Sequence, residues 1–182
     1  MIEKLKSVYG GIRLKRESGA LIRDRKNPDI HRARKIGILY DATERETFYK
    51  VREFFKDLKE IGKEPYALGY IGFNEVTFHP LARPETDYFF RNQLNWYMKP
   101  AGPVIDNFIR EPFDILINLT MSDIYPIDYI AALSKAGLKI GREDSAIAYC
   151  YDMRFKLSEN ADEKSFAYMI IHYLNQINVR TS

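Results

Sequence analysis

Two short, unbroken apolar runs constrain this chain more than any other feature of its sequence. Residues 35–40 read Lys-Ile-Gly-Ile-Leu-Tyr, and residues 113–119 read Phe-Asp-Ile-Leu-Ile-Asn-Leu. Runs of this length are typical of strands covered on both faces, and such strands occur in parallel sheets flanked by helices. The sequence therefore predicts an α/β protein with these two segments inside its sheet.

Amphipathic segments alternate with the apolar runs. A helix is predicted over about 44–61, because its apolar residues recur at the spacing of one helical face. Thr43 followed by Glu46 fits a capping box that would open this helix. Residues 65–71 then predict a second strand, and the resulting βαβ unit makes the two strands parallel.

The same alternation continues towards the end of the chain. Short helices are predicted over 102–110 and 126–136, a strand over 138–140, a last strand within 146–155 and a C-terminal helix from near Asp162. Residues 72–100, rich in proline and aromatic residues, predict a long packed connection. We therefore expect a three-layer, mostly parallel, Rossmann-like or flavodoxin-like sheet of about four to five strands.

Composition excludes several classes of protein. A hydrophobic fraction of 46% excludes global disorder, and no apolar run approaches the roughly 20 residues of a membrane-spanning helix. One cysteine, Cys150, and three scattered histidines cannot supply a disulfide scaffold or a closed zinc site. We expect a soluble cytoplasmic protein without metal or cofactor.

Charge is distributed unevenly along the chain. Residues 1–35 hold eleven Lys and Arg against four Asp and Glu, a net charge of +7, whereas the rest carries −4. We divide the chain into a basic, partly helical appendage over residues 1–34 and a single α/β domain over 35–182. Such an excess favours nucleic acid or another anion, although a solvated helix face would show the same composition. The candidate anion-binding residues are Arg13, Lys15, Arg16, Arg23, Arg25, Lys26, Arg32 and Arg34.

A second candidate site lies at the carboxyl ends of the predicted strands. Open α/β sheets bind ligands there, at the point where the strand order reverses. The polar residues that follow the predicted strands are Asp41, Thr43, Asn118, Thr120, Ser122, Asp123 and Arg142. They form no known motif: glycine-rich dinucleotide loops, Walker-type loops, His-Glu-x-x-His and the Gly-x-Ser-x-Gly elbow are all absent. No catalytic residue is assigned.

Several short blocks resemble a known family. They occur in the order Leu94-Asn-Trp96, Asp106-Asn-Phe108, Pro112 to Ile117, Ser134-Lys-Ala136 followed by Lys139-Ile-Gly141, and Asp152-Met153. The chain is similar to a domain-of-unknown-function family of short proteins found mainly in Bacteroidetes bacteria. This resemblance implies a bacterial cytoplasmic setting and a compact α/β body, but no activity, cofactor or catalytic residue.

The sequence leaves three functions open, the last of which is a scaffold for another protein, with exposed aromatic residues of 72–100 as its contact patch. The first is a non-enzymatic binding protein whose basic segment contacts RNA, a ribonucleoprotein or another acidic partner, because the +7 segment is a countable feature. The alternative is a small-molecule or nucleotide-like ligand site, with or without catalysis, at the strand ends. Dense aromatic residues around Trp96 could stack bases or a sugar, although such residues more often close one edge of a core.

Overall fold

The computed structural model describes residues 2–27, 29–74 and 84–179. Within these residues six strands form one sheet and five α-helices surround it. The strands are β1 (Lys35–Asp41), β2 (Glu64–Ile71), β3 (Thr86–Phe90), β4 (Ile115–Asn118), β5 (Leu138–Arg142) and β6 (Met153–Phe155). The helices are α1 (Ile2–Gly19), α2 (Arg45–Glu60), α3 (Pro103–Arg110), α4 (Tyr125–Leu133) and α5 (Glu163–Val179).

The sheet is parallel throughout, in the order β3-β2-β1-β4-β5-β6. This confirms the predicted α/β class, although the sheet has more strands than the expected four to five. The chain builds outwards from β1 to β3, then returns to the other side of β1 with β4. The strand order therefore reverses between β1 and β4, the position at which such sheets open a crevice at their carboxyl ends.

Alternate residues of the central strands enter two separate apolar layers. Ile36 and Ile38 of β1 pack towards α2 and α5, whereas Leu39 faces the layer built with α3 and α4. In β4, Ile117 packs in the layer of α2 and α5, and Leu116 packs in the layer of α3 and α4. Because both faces are covered, the central strands carry uninterrupted apolar runs. These runs allow the strands to be recognised in the sequence.

The N-terminal segment packs on the body at two places. Leu14 of α1 is buried in the layer that contains α4, and Gly10 leaves room for the Tyr125 side chain, since a Cβ there would lie 2.8 Å from the Tyr125 ring. Ile30 is buried on the opposite side of the sheet. We call residues 20–27 and 29–34, which join these two places, the strap.

Two local expectations were wrong. Thr43 does not cap α2, which begins after Glu44 without a side-chain cap; the Thr43 hydroxyl instead accepts a hydrogen bond from the Gly72 amide at 2.9 Å. Residues 86–90, assigned to a long connection, form the edge strand β3. Residues 75–83 of that connection lie outside the described residues.

No helix in the described part of the chain is both long and apolar enough to cross a membrane.

Candidate functional sites

Arg23 fastens the strap to the amino edge of the sheet. Its guanidinium donates to the carbonyls of Ala136 and Gly137, both at 3.0 Å, and is paired with the carboxylate of Asp152. The side chain is only 7% exposed. A buried cation with this set of acceptors is a structural element of the fold.

Further cations of the strap are also paired with carboxylates. Lys26 lies 2.6 Å from Asp114, and the Arg34 guanidinium lies 2.7 Å from Glu64. Although burial opposes it, Lys26 and the amides of Arg34 and Lys35 lower the pKa of Asp114. Much of the excess positive charge counted in the sequence is therefore neutralised by the acidic body.

Arg32 is paired locally, at 3.3 Å from Asp29, and Arg25 has a long contact of 3.7 Å with Asp152. Lys15 and Arg16 are exposed on α1 and have no ion pair within the described residues. Arg13 has one carboxylate neighbour, Glu17, at 3.4 Å on the same helix. On the strap, Arg23, Lys26 and Arg34 are thus fastened to the body, whereas Arg25 and Arg32 are mostly exposed. The three cations of α1 are also more available than the fastened ones.

The available cations of α1 adjoin two exposed aromatic rings. Tyr9 of α1 stacks on Trp96 with ring centroids 5.3 Å apart and an interplanar angle of 28°. The two side chains are 42% and 62% exposed. Arg13 places its guanidinium 5.8 Å from the centroid of Tyr97, which is buried and packs edge-on against both Tyr9 and Trp96. We call Tyr9, Ile12, Arg13, Arg16 and Trp96 the aromatic–basic surface.

A tight turn presents Trp96 to solvent. The side-chain oxygen of Asn95 accepts from the amides of Tyr97 and Lys99, at 3.1 and 3.0 Å, and the Asn95 amide donates to the Lys99 carbonyl. Met98 has a φ of +69°, in the region that usually favours glycine. These hydrogen bonds hold the backbone of the turn, and the indole itself contacts the rings of Tyr9 and Tyr97.

Glu17 joins α1 to this turn and to α4. Its carboxylate accepts a hydrogen bond from the Tyr129 hydroxyl and lies 3.3 Å from the ammonium of Lys99, which also sits over the Tyr129 ring. Burial opposes ionisation, but these partners lower the pKa of Glu17 below its ordinary value. The carboxylate therefore anchors α1. Arg13 and Arg16 line a groove of about 620 Å³ beside it.

At the carboxyl edge of the sheet, the predicted ligand residues form two groups. Asp41 accepts from the Thr43 amide at 2.9 Å, and Thr43 is tied to Gly72 after β2. Asn118 belongs to the other group: its amide donates to the Tyr151 hydroxyl at 2.7 Å and its carbonyl oxygen accepts from Thr120. No hydrogen bond connects the two groups within the described residues.

Arg142 lies at the centre of the second group. Its guanidinium is buried and pairs with Asp123 at 2.9 Å and Asp144 at 2.6 Å. Asp123 also accepts from the Ala146 amide. Ser122 lies exposed in the turn before Asp123. The structure thus brings together Asn118 and Thr120, and places Arg142 with Asp123, at neighbouring strand ends.

Sequence reasoning missed Asp128, the most unusual group at this edge. This α4 residue is 3% exposed, and its Oδ1 has no hydrogen-bond partner in the described part of the chain. Burial, together with the Asp123 carboxylate, raises the pKa of Asp128 to about 7, while Arg142 acts in the opposite direction. A lone carboxylate within the apolar sequence Tyr125-Pro-Ile-Asp-Tyr-Ile130 was the available signal.

The described residues contain no group of three or more His, Cys, Asp and Glu side chains that could hold a metal ion. Cys150 is a free, partly buried thiol whose pKa is raised by burial.

Comparison with known proteins adds a family but no activity. No curated protein matches the chain, and no solved structure matches it either. A family model does match, over residues 9–177, which includes most of α1, the strap and every strand of the sheet. On this match the chain belongs to a family of unknown function (DUF6913).

Proposed function

We propose that this protein is a non-enzymatic binding protein for single-stranded RNA, and that the aromatic–basic surface is its binding site. The observation that carries the proposal is the exposed stack of Tyr9 on Trp96 beside Arg13 and Arg16. Single strands are bound by aromatic rings on which bases stack and by cations that follow the phosphates. Both kinds of group occur here on one surface.

The preorganised turn around Trp96 supports this function. A ring that is already held in place loses little conformational freedom when a base stacks on it. Trp96 lies in a turn whose backbone is held by the Asn95 hydrogen bonds, and its ring packs edge-on against Tyr97, whose centroid is 5.0 Å away. The proposed site therefore combines the basic N-terminal segment with the aromatic loop, and its residues Tyr9 and Trp96 are 87 positions apart in the sequence.

Trp96 is the only tryptophan of the chain, so its fluorescence reports binding directly. We would titrate the full chain with an unlabelled oligouridylate of about twelve nucleotides and follow the indole emission. Stacking of a base on the ring should quench it. With about three cations at phosphates, the logarithm of the affinity should fall with the logarithm of salt at a slope of about −2.

Trp96→Ala is the decisive variant, and its affinity is read by anisotropy of a labelled oligonucleotide. Loss of one stacked base should weaken binding by about 5- to 150-fold, and Trp96→Phe should retain most of it. Tyr49→Ala, which removes an exposed ring from α2, is the matched control. Equal affinities for Trp96→Ala, Tyr49→Ala and the natural chain would overturn the proposal.

A second candidate function, binding of a small amine at the carboxyl edge, is favoured by one observation. The unpartnered Oδ1 of Asp128 lies at the edge where Asp123 and Asp144 outnumber Arg142. A primary amine would supply both the missing donor and the missing positive charge. Affinity for such a ligand should fall as the pH is lowered through about 7, because the Asp128 carboxylate becomes protonated.

The test is thermal unfolding of the natural chain and of Asp128→Asn in the presence of a panel of amino acids and polyamines. An amine that raises Tm for the natural chain alone would support this second function. Because the variant removes a buried charge, it should by itself be the more stable protein above pH 7. No stabilisation by any amine in either protein would exclude this function.

A further inference from the structure

A cationic cavity of about 470 Å³ lies between the end of α1, the start of the strap and the sheet. It is separate from the aromatic–basic surface and shares none of its residues. The polar residues that line it are Ser18, Arg23, Arg25, Lys139, Tyr149 and Cys150. Leu21, Ile22 and Ala132 supply apolar wall.

Positive charge exceeds negative charge around this cavity. Arg23, Arg25 and Lys139 line it, and Asp152 is the carboxylate that contacts them: it is paired with Arg23, lies 3.7 Å from Arg25 and accepts the Lys139 backbone amide. One carboxylate therefore pairs with two guanidinium groups, and the Lys139 ammonium has no carboxylate within ion-pair distance among the described residues. The Cys150 thiol adds no negative charge, because burial raises its pKa.

Lys139 is the most unusual of the three cations. Its residue is only 1% exposed, yet its ammonium makes a single hydrogen bond within the described residues, to the Ala132 carbonyl at 2.8 Å. Burial and the neighbouring Arg23 lower the pKa of Lys139 to about 8. An ammonium has three donors, so two remain for another acceptor.

The strap holds this group of cations in place. Arg23 is fixed by the carbonyls of Ala136 and Gly137, and the Lys26 amide donates to the Gly137 carbonyl at 2.9 Å. Arg25, between them in sequence, is mostly exposed and has only the long contact to Asp152. Arg23 is therefore fixed within the cavity, while Arg25 at its rim is free to adjust. Such a combination is suited to binding an anion.

From this arrangement we infer that the cavity binds a phosphomonoester, with its phosphoryl group between Arg25 and Lys139 and its organic part against Tyr149 and Ile22. Tyr149 is 52% exposed and Ile22 is 92% exposed, so both present apolar surface to a ligand at the rim. The volume accommodates a molecule of metabolite size. The inference does not depend on RNA binding at the other surface.

Phenyl phosphate, inorganic phosphate and phenol are suitable probes. Isothermal titration of the full chain, at constant ionic strength set with sodium chloride, should give saturable binding of phenyl phosphate, weaker binding of inorganic phosphate and none of phenol. Arg25→Ala should weaken phenyl phosphate about tenfold by removing one charge-assisted contact. Tyr149→Ala should reduce its affinity to that of inorganic phosphate.

Arg32→Ala is the matched control, because Arg32 is an exposed strap arginine outside the cavity. It should bind phenyl phosphate as the natural chain does. Lys139→Met should abolish binding; if that variant does not fold, Arg25→Ala and Tyr149→Ala decide the question. Absence of saturable binding, or equal losses in Arg25→Ala and Arg32→Ala, would overturn the inference.

The two proposals fail separately. Arg25→Ala should leave oligouridylate affinity unchanged within about twofold, and Trp96→Ala should leave phenyl phosphate binding unchanged. If Arg25→Ala lowers both affinities equally, the cavity is part of the RNA surface and the phosphomonoester inference is wrong.

Discussion

The two halves of the basic N-terminal segment have similar composition but different surroundings. On the strap, Arg23, Lys26 and Arg34 are paired with carboxylates of the body, whereas on α1 Lys15 and Arg16 are exposed and have no such partner among the described residues. A charge count cannot separate these cases. What distinguishes them is the acidic residue that the fold brings opposite each cation, and this determines which cations can serve a partner.

The largest effect should come from breaking the fastened half. Arg23→Ala removes two carbonyl contacts and leaves Asp152 without its buried partner, so the free energy of unfolding should fall by about 3 kcal/mol. Urea unfolding followed by circular dichroism measures this. Arg16→Ala should stay within about 0.5 kcal/mol of the natural chain. Similar stabilities for the two variants would contradict the distinction between strap and helix.

The second-largest effect is expected at low pH, where the contacts between the strap and the body should stabilise the fold less. The pKa of Asp114 is lowered in the folded chain, so its contribution to stability is present above its ordinary pKa of 3.8 and disappears as the pH falls through the lower folded value. Asp114→Asn should therefore be less stable than the natural chain at pH 6, and the difference should shrink as the pH falls below 3.8. Urea midpoints across this range give the comparison. A difference that persists unchanged at low pH would show that Lys26 does not act through the charge of Asp114.

A smaller effect is expected on the available half. Arg16→Ala should lower oligouridylate affinity by about two- to fivefold, and should make the salt slope less negative by about 0.7, because one phosphate contact is lost. Anisotropy titrations at several salt concentrations provide both values. An unchanged slope would mean that Arg16 meets no phosphate.

The smallest effect is expected for Arg32→Ala. Arg32 carries the same charge as Arg16, but its exposed guanidinium is paired locally with Asp29. Both the free energy of unfolding and the RNA affinity should change by no more than about 0.5 kcal/mol. A loss of RNA affinity as large as that of Arg16→Ala would show that the binding surface extends onto the strap.

Much of the fold could be predicted because its central strands are covered on both faces. The apolar runs at β1 and β4 and the apolar spacing of α2 and α5 arise directly from that burial. The edge strand β3 was missed because Thr86-Asp-Tyr-Phe-Phe90 is only partly buried and follows a proline-rich stretch. The prediction that Thr43 caps α2 was wrong because its hydroxyl accepts a hydrogen bond from the Gly72 amide, which is distant in the sequence.

The candidate sites were less predictable, since each depends on pairs far apart in the chain. Asn118, Thr120 and Arg142 could be named from their position after apolar runs. The hydrogen bond from Asn118 to the Tyr151 hydroxyl could not be predicted from the sequence. The stacking of Tyr9 on Trp96 could not be predicted either. Residue type and local spacing carry no information on such contacts, which the strand order and helix packing determine.

The strap also sets an order of events during synthesis of the chain. Its partners Asp114, Gly137 and Asp152 follow Arg23 and Lys26 by 88 to 129 residues. While a ribosome makes the chain from its N-terminus, the basic segment is complete long before any of these partners exists. The growing chain therefore carries Arg23 and Lys26 without their carboxylate partners through most of its translation, and acquires its final charge distribution only when β5 and β6 have been made.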